Sequence, residues 1–495
     1  MMQNTANFIV GLKFEVMEKY DHIEKQNWFK RRRILAWFTL LMQCLIYFEY
    51  SAVSISALYY YKDDLKVQNP KFYYSLSMGA MYISIFISVI TCARYMDKTR
   101  NLRRIALTTI VFSIVGNLTY TITISPYLPI IGRFLCGIND GVRICAAGEL
   151  SRVYGKHELG KIFSTNEIVG LIVTSLAPCT PVLFTGINFH IGFWHITTNN
   201  FIGLFLAVVA TIIWVATYLF LPNLTLEPIY KTMKNDIFSS TEVSDSVTNN
   251  NTNNATGSEI FEETNESFKP FKQHKKIPST STEELETISV LWTTKDIVQR
   301  TDVFFIILTQ AFLSGQYYQM ELLINMTALL IFQFNMTEIS IATTIGVVFA
   351  SLVMLAIRSR LLGSSVNIVF LFALSFVLAT ILESYLNIII LSGFRIKIIL
   401  QATISIVVFL NTLQAFGAGS YTKIILFSMA PQHSAAIIES HRKASASFFI
   451  CVAFFTASSV FSVQYLVTPV YNLISLVVAG ALLYKRHCYI GFIKL

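Results

Sequence analysis

Twelve long apolar runs, divided six and six by one long polar stretch, constrain this chain more than anything else in it. The runs are roughly 34–60, 72–93, 105–125, 127–150, 162–185, 201–221, 303–330, 338–357, 364–391, 397–427, 444–465 and 468–484. A bilayer core of about 30 Å needs roughly 20 apolar residues of helix to cross it. In hydrocarbon every backbone polar group must be satisfied internally, so runs of this length read as transmembrane helices. Only 14% of the residues are charged, against about 25% in a soluble domain. The fold class expected is an all-α polytopic membrane protein of twelve transmembrane helices. It divides into a tail (1–33), a six-helix bundle (34–221), a linker (222–301), a second six-helix bundle (302–484) and a tail (485–495).

Charge asymmetry orients the chain. With an even number of spans both termini lie on one side, and that side collects about 30 Lys and Arg against about 5 opposite, which by the positive-inside rule makes it cytoplasmic. The +9 formal charge is therefore a topology signal, and nucleic acid is not an expected partner. The linker contains "TEVSDSVTNNNTNNATGSEIFEETNESF", which cannot bury enough apolar surface to offset its ordering entropy and reads as disordered. The sequons at Asn250, Asn254 and Asn265 fall in it. Residues 1–33 lack the apolar core of a signal peptide. The seven cysteines have neither C-x-x-C nor Cys/His spacing, so no disulfide framework, metal site or cofactor is expected. No G-x-x-x-x-G-K-[ST], H-E-x-x-H or G-x-S-x-G occurs, so ATP-driven transport and enzyme chemistry are not expected.

Three local patterns carry a resemblance. After span 2, "ARYMDKTRNLRR" keeps Asp97 and supplies Arg100, Arg103 and Arg104. Span 4 reads "PIIGRFLCGINDGVRICAAGELSR", with Arg133, Gly137 and Gly141 at four-residue spacing. Small residues at that spacing let helix backbones approach closely. Span 5 reads "GLIVTSLAPCTP", where Pro178 predicts a kink. These stretches resemble the loop 2–3, span-4 and span-5 signatures of the major facilitator superfamily, over all but the linker and tail ends. Two further stretches, "YTKIILFSMAPQ" and "ELSRVYGKHELGKIFSTNE", resemble its lysosomal, ceroid-lipofuscinosis-type subfamily, with Arg152, Glu158 and Lys161 as matching positions.

The superfamily resemblance implies two bundles built as inverted repeats and a secondary transporter working by alternating access. Its partners are membrane lipid, a small solute and a proton or other coupling ion. The subfamily resemblance implies a lysosomal or endosomal membrane. Asp97 with Arg100, Arg103 and Arg152 forms the expected lock at the cytoplasmic face, with Asp97 pairing to Arg152. Gly137, Gly141 and Pro178 are expected to shape packing.

Intramembrane charges are expensive and face the bundle interior or a cavity. Span 4 holds Arg133, Asp140 and Arg143. Seven residues place Arg133 and Asp140 about 20° apart around one helix, so they are expected to form an interior pair. Glu49 in span 1 and Glu321 in span 7 become equivalent if the halves are repeats. These five residues are the candidates for solute binding or coupling. Glu167 and Glu383 read as rim or packing charges, Lys423 as snorkelling, Arg442 and Lys443 as basic-side anchors, and Trp194 and His195 as interface residues. Two other functions stay open on sequence: a channel-like anion conductance on the same fold, and a non-transporting scaffold or receptor.

Overall fold

The computed structural model describes residues 2–192, 194–230, 233, 294–361, 365–393, 396–429, 435–486 and 489. Most of the expected linker lies outside these residues, together with Asn250, Asn254 and Asn265, and so does the tail after Tyr489. The described chain is helical except for a hairpin of β1 (Asn188–Ile191) and β2 (Trp194–Thr197) in the loop between spans 5 and 6. Its register stacks His190 on His195 at 4.2 Å, and the Trp194 indole donates to the Thr121 carbonyl at 2.9 Å.

Span 1 lies in one helix, Met2–Tyr59, which extends through the expected tail. Residues 12–33 contain neither Pro nor Gly and are rich in Lys, Glu and Arg, which are good helix formers. Span 2 is Pro70–Thr99, started by Asn69, whose side chain accepts from the Phe72 amide, and by Pro70 at the first position. It ends at Arg100 in the left-handed region (φ 54°). Span 3 is Leu102–Tyr120, and span 6 is Thr198–Phe220. Spans 7 to 12 are Thr301–Met326, Met336–Leu361, Ser365–Ser392, Lys397–Met429, Ala435–Ser462 and Gln464–Tyr484.

Among the described residues ten helices are long and apolar enough to cross a membrane. The two spans outside that set fall short for visible reasons. Span 7 carries Gln310, Gln316, Gln319, Glu321 and Asn325. Span 4 is not one helix but two, Tyr127–Gly137 and Asp140–Val153. At the joint the backbone tightens to i→i−3 bonds, Ile138 to Leu135 at 3.2 Å and Asn139 to Cys136 at 3.1 Å. Span 5 also changes pitch: Lys156–Leu176 leads into a 3₁₀ turn, Ala177–Cys179, that holds Pro178.

Within the first six spans, span 2 packs on span 4 and span 3 on spans 4 and 6; within the last six, span 7 packs on 10 and 11 and span 9 on 10 and 12. Spans 2 and 11, and 5 and 8, join the two halves. We call the face bearing the inner ends of spans 4 and 10 the basic face. Away from it the halves meet through hydroxyl, amide and ring contacts, with the Lys71 ammonium over the Phe461 ring at 5.0 Å. The Tyr59 hydroxyl donates to the Phe334 carbonyl (2.7 Å), and the Asn325 amide donates to the Tyr74 hydroxyl (3.1 Å). Ser175 meets Ser351 at 2.6 Å. Deeper in, Tyr50, Tyr82, Tyr318 and Phe454 pack ring against ring.

Candidate functional site

A cavity of about 180 Å³ opens between the halves below that aromatic cluster. Its deep end holds Tyr50, Tyr317, Tyr318 and Glu321. Its basic-face end holds Gln43, Arg143 and Glu167 from the first half, with Lys423, Glu439, Arg442 and Lys443 from the second. Pro178 lines its wall.

Asp140 is the anchor of the charged end. It begins the second helix of span 4, where the helix dipole favours an anion. It is 1% exposed and lies 2.9 Å from Arg143 and 3.4 Å from Lys443 of span 11. Arg143 also reaches the Gln43 side-chain oxygen at 3.4 Å and lies over the Tyr47 ring. Lys423 pairs with Glu167 across the halves and lies 3.8 Å from Glu439, which Arg442 holds at 2.6 Å.

Several expectations are corrected here. Lys423 does not snorkel to the surface; it is held inside by Glu167. Glu167 is accordingly a cavity residue and not a rim charge. Arg442 and Lys443, which read as basic-side anchors, turn into the cavity. Glu383, by contrast, is a packing group, as expected, buried and accepting from the Gln316 amide at 2.6 Å.

The expected Arg133–Asp140 pair does not form. Arg133 is fully buried inside the first half, 3.7 Å from Glu49. Glu49 also accepts from Asn117 at 2.8 Å and Ser113 at 3.4 Å. The joint at Ile138–Asn139 breaks the helical phase, so a seven-residue spacing no longer sets a shared face. Neither Glu49 nor Arg133 lines the cavity.

Glu49 and Glu321 are therefore not brought together. Spans 1 and 7 both end in a π-turn, Tyr60–Asp64 and Thr327–Ile331. Counting back equally from the two turns matches Glu49 to Gln316 and Glu321 to Ser54. Glu321 itself lines the cavity and accepts from the Tyr50 hydroxyl at 3.0 Å. Among the described residues it has no cation within ion-pair distance, unlike every other cavity carboxylate.

At the basic face Asp97 lies 3.0 Å from Arg152. Arg152 is also 3.6 Å from Glu149, which accepts from Thr225 at 2.7 Å. Arg100 and Arg103 do not join this pair. Arg100 caps span 2 through its backbone, and the Arg103 guanidinium donates to the Tyr218 carbonyl. Nearby, burial raises the Glu227 carboxyl pKa from its ordinary value, although Arg31 at 3.1 Å opposes it.

Gly137 and Gly141 sit where span 4 crosses span 2. A Cβ on Gly137 would fall 2.3 Å from the Met81 carbonyl oxygen, and one on Gly141 2.9 Å from that of Ser88.

The Major Facilitator Superfamily family model matches residues 39–461. The chain belongs to the major facilitator superfamily. It is a multi-pass membrane protein and a secondary transporter of a small solute, not an enzyme. No curated protein sequence matches it significantly, and no subfamily is identified. Solved superfamily structures share the fold. A POT-family transporter in complex with a thioalcohol-conjugated peptide superposes with a TM-score of 0.60 at 13% identity, covering 92% of this chain and 96% of that one. A POT-family transporter in complex with 5-aminolevulinic acid gives 0.59 at 12% identity, covering 92% and 96%. The inward-open xylose transporter XylE from E. coli gives 0.57 at 12%, covering 91% and 95%. At such identities the superfamily likeness is one of fold, and the cavity residues above belong to this transporter's own sequence.

Proposed function

We propose that this transporter moves a small solute bearing negative charge by alternating access, with the movement linked to protons. The observation that carries the reading is the Asp140–Arg143–Lys443 cluster at the cavity. Arg143 and Lys443 share one carboxylate. A solute carboxylate or phosphate entering the cavity competes with Asp140 for both cations, and that exchange loosens the contact between span 4 and span 11. An arginine presents planar paired donors suited to such a group. Glu321 is the group best suited to carry the proton, since a proton there alters a cavity charge that no cation among the described residues compensates. The Glu49–Arg133 pair, sealed from the cavity, serves the packing of the first half in this reading.

The orientation that goes with it puts both termini in the cytoplasm, on the charge count. The lysosomal or endosomal membrane implied by the subfamily resemblance is checked by localising the tagged chain.

The test is uptake by purified protein in liposomes, across small organic anions, sugars and amino acids, with and without a pH gradient. The expected result is saturable anion uptake, stimulated by the gradient and insensitive to it in Glu321→Gln. Flux that rises linearly with voltage and never saturates would instead mark an anion conductance. Sugar uptake indifferent to Arg143→Gln would overturn the anionic assignment.

A further inference from the structure

A second recess, of about 410 Å³, lies at the basic face between span 1 and span 5, outside the transport cavity. Its rim carries Arg33 and Lys161, and its wall is Trp37, Leu40 and Ile162. The neighbouring cations are engaged: Arg31 by Glu227 at 3.1 Å and Arg32 by Glu158 at 3.1 Å. Arg33 and Lys161 are exposed and have no acidic partner among the described residues. Glu158 also borders the recess, but its charge is answered by Arg32. Two uncompensated positive charges therefore remain at one opening.

The wall explains what kind of anion fits. Trp37 is 70% exposed, and the apolar surface continues through Leu41 at 40%. A soluble anion would gain nothing from that surface. Tryptophan at the boundary of a span belongs at the headgroup level, and basic pockets between spans suit lipid headgroups.

We propose that this recess binds an anionic phospholipid of the leaflet on the basic face. The phosphate lies between Arg33 and Lys161, and an acyl chain lies along Trp37 and Leu40. The site is placed to act on transport, because Asn166 lines both this recess and the transport cavity. A lipid bridging span 1 to span 5 restrains two of the three first-half spans that line the cavity.

Delipidated protein in detergent, offered equal phosphatidylserine and phosphatidylcholine, is examined by native mass spectrometry. Two favourable charges near the surface give a preference for phosphatidylserine of about tenfold or more. Arg33→Gln/Lys161→Gln removes that preference. Lys98→Gln/Arg104→Gln, which removes equal charge elsewhere on the same face, keeps it. Equal loss in both variants means diffuse surface attraction and overturns the site, as does wild-type protein with no preference. A second measurement needs no charge variant: phosphatidylserine brominated on its acyl chain quenches the Trp37 emission, defined by difference from Trp37→Phe. Quenching that is the same in Trp37→Phe, or that inorganic phosphate abolishes, rules the lipid out.

Discussion

Arg133 reaches Glu49 across the first half, its Nη1 3.7 Å from the carboxylate, with both side chains at or below 1% exposure. The Arg133 Nε has no hydrogen-bond partner among the described residues. An ion pair this deep depends on both members, because a lone charge left behind is the expensive state. Glu49→Leu and Arg133→Leu alone are each expected to cost roughly 3–5 kcal/mol, and the double variant to recover much of it. Monodisperse yield and melting temperature in detergent are the readouts. Strict additivity of the two losses would show that they do not interact.

Arg143 differs because it lines the cavity, and its partner Asp140 keeps Lys443 at 3.4 Å when the guanidinium is gone. Arg143→Gln is expected to fold normally and to lower anion flux at least tenfold, about 1.4 kcal/mol or more of lost interaction. Arg143→Lys keeps the charge but not the paired donors, so it recovers only part of the flux. Normal anion flux in Arg143→Gln would remove this residue from the solute site.

Asp97 is 72% exposed, and exposed pairs contribute about 0–1 kcal/mol. Asp97→Asn is therefore expected to leave abundance and melting unchanged. If the contact with Arg152 acts as a lock at the basic face, the rate of transport falls in the same variant. Wild-type rates would leave the pair a surface contact only.

Gly137 tests the crossing of spans 2 and 4. Ala at this position drives a methyl group to 2.3 Å from the Met81 carbonyl, a distance that backbone must move to relieve. Yield of folded protein is expected to drop sharply. Gly480→Ala in span 12 meets nothing within 4 Å and is the matched control, expected to be harmless.

Topology has its own check. Protease added outside sealed, right-side-out vesicles should leave the 222–301 loop uncut. Cleavage from that side would reverse the orientation.

Hydropathy made most spans legible, and the superfamily signatures in loop 2–3, span 4 and span 5 made the fold legible with them. The site was legible only in part. Arg143, Asp140 and Glu321 stand out because an ionisable residue in a span is rare. The partner of Arg133 was not legible. The break at Ile138–Asn139 comes with no proline, and the crossing of Gly137 against Met81 is tertiary. Lys443 was hidden for another reason: it sits beside Arg442 near the start of span 11, where a basic residue looks like an orientation signal. Only the approach of span 11 to span 4 turns it toward Asp140. Equating Glu49 with Glu321 failed for want of a register, which the two π-turns supply.

The two ends of the half–half contact are held by different forces. Tyrosine rings and the hydroxyl of Tyr59 on the Phe334 carbonyl present no net charge for ions to screen. The bridges Lys423–Glu167 and Lys443–Asp140 do, to the extent that water and salt enter the cavity beside them. Ionic strength on the basic side therefore acts as a thermostat on one door only. Raising it there weakens the charged closure and leaves the aromatic one as it was, so the protein's resting bias answers to the salt of a single compartment.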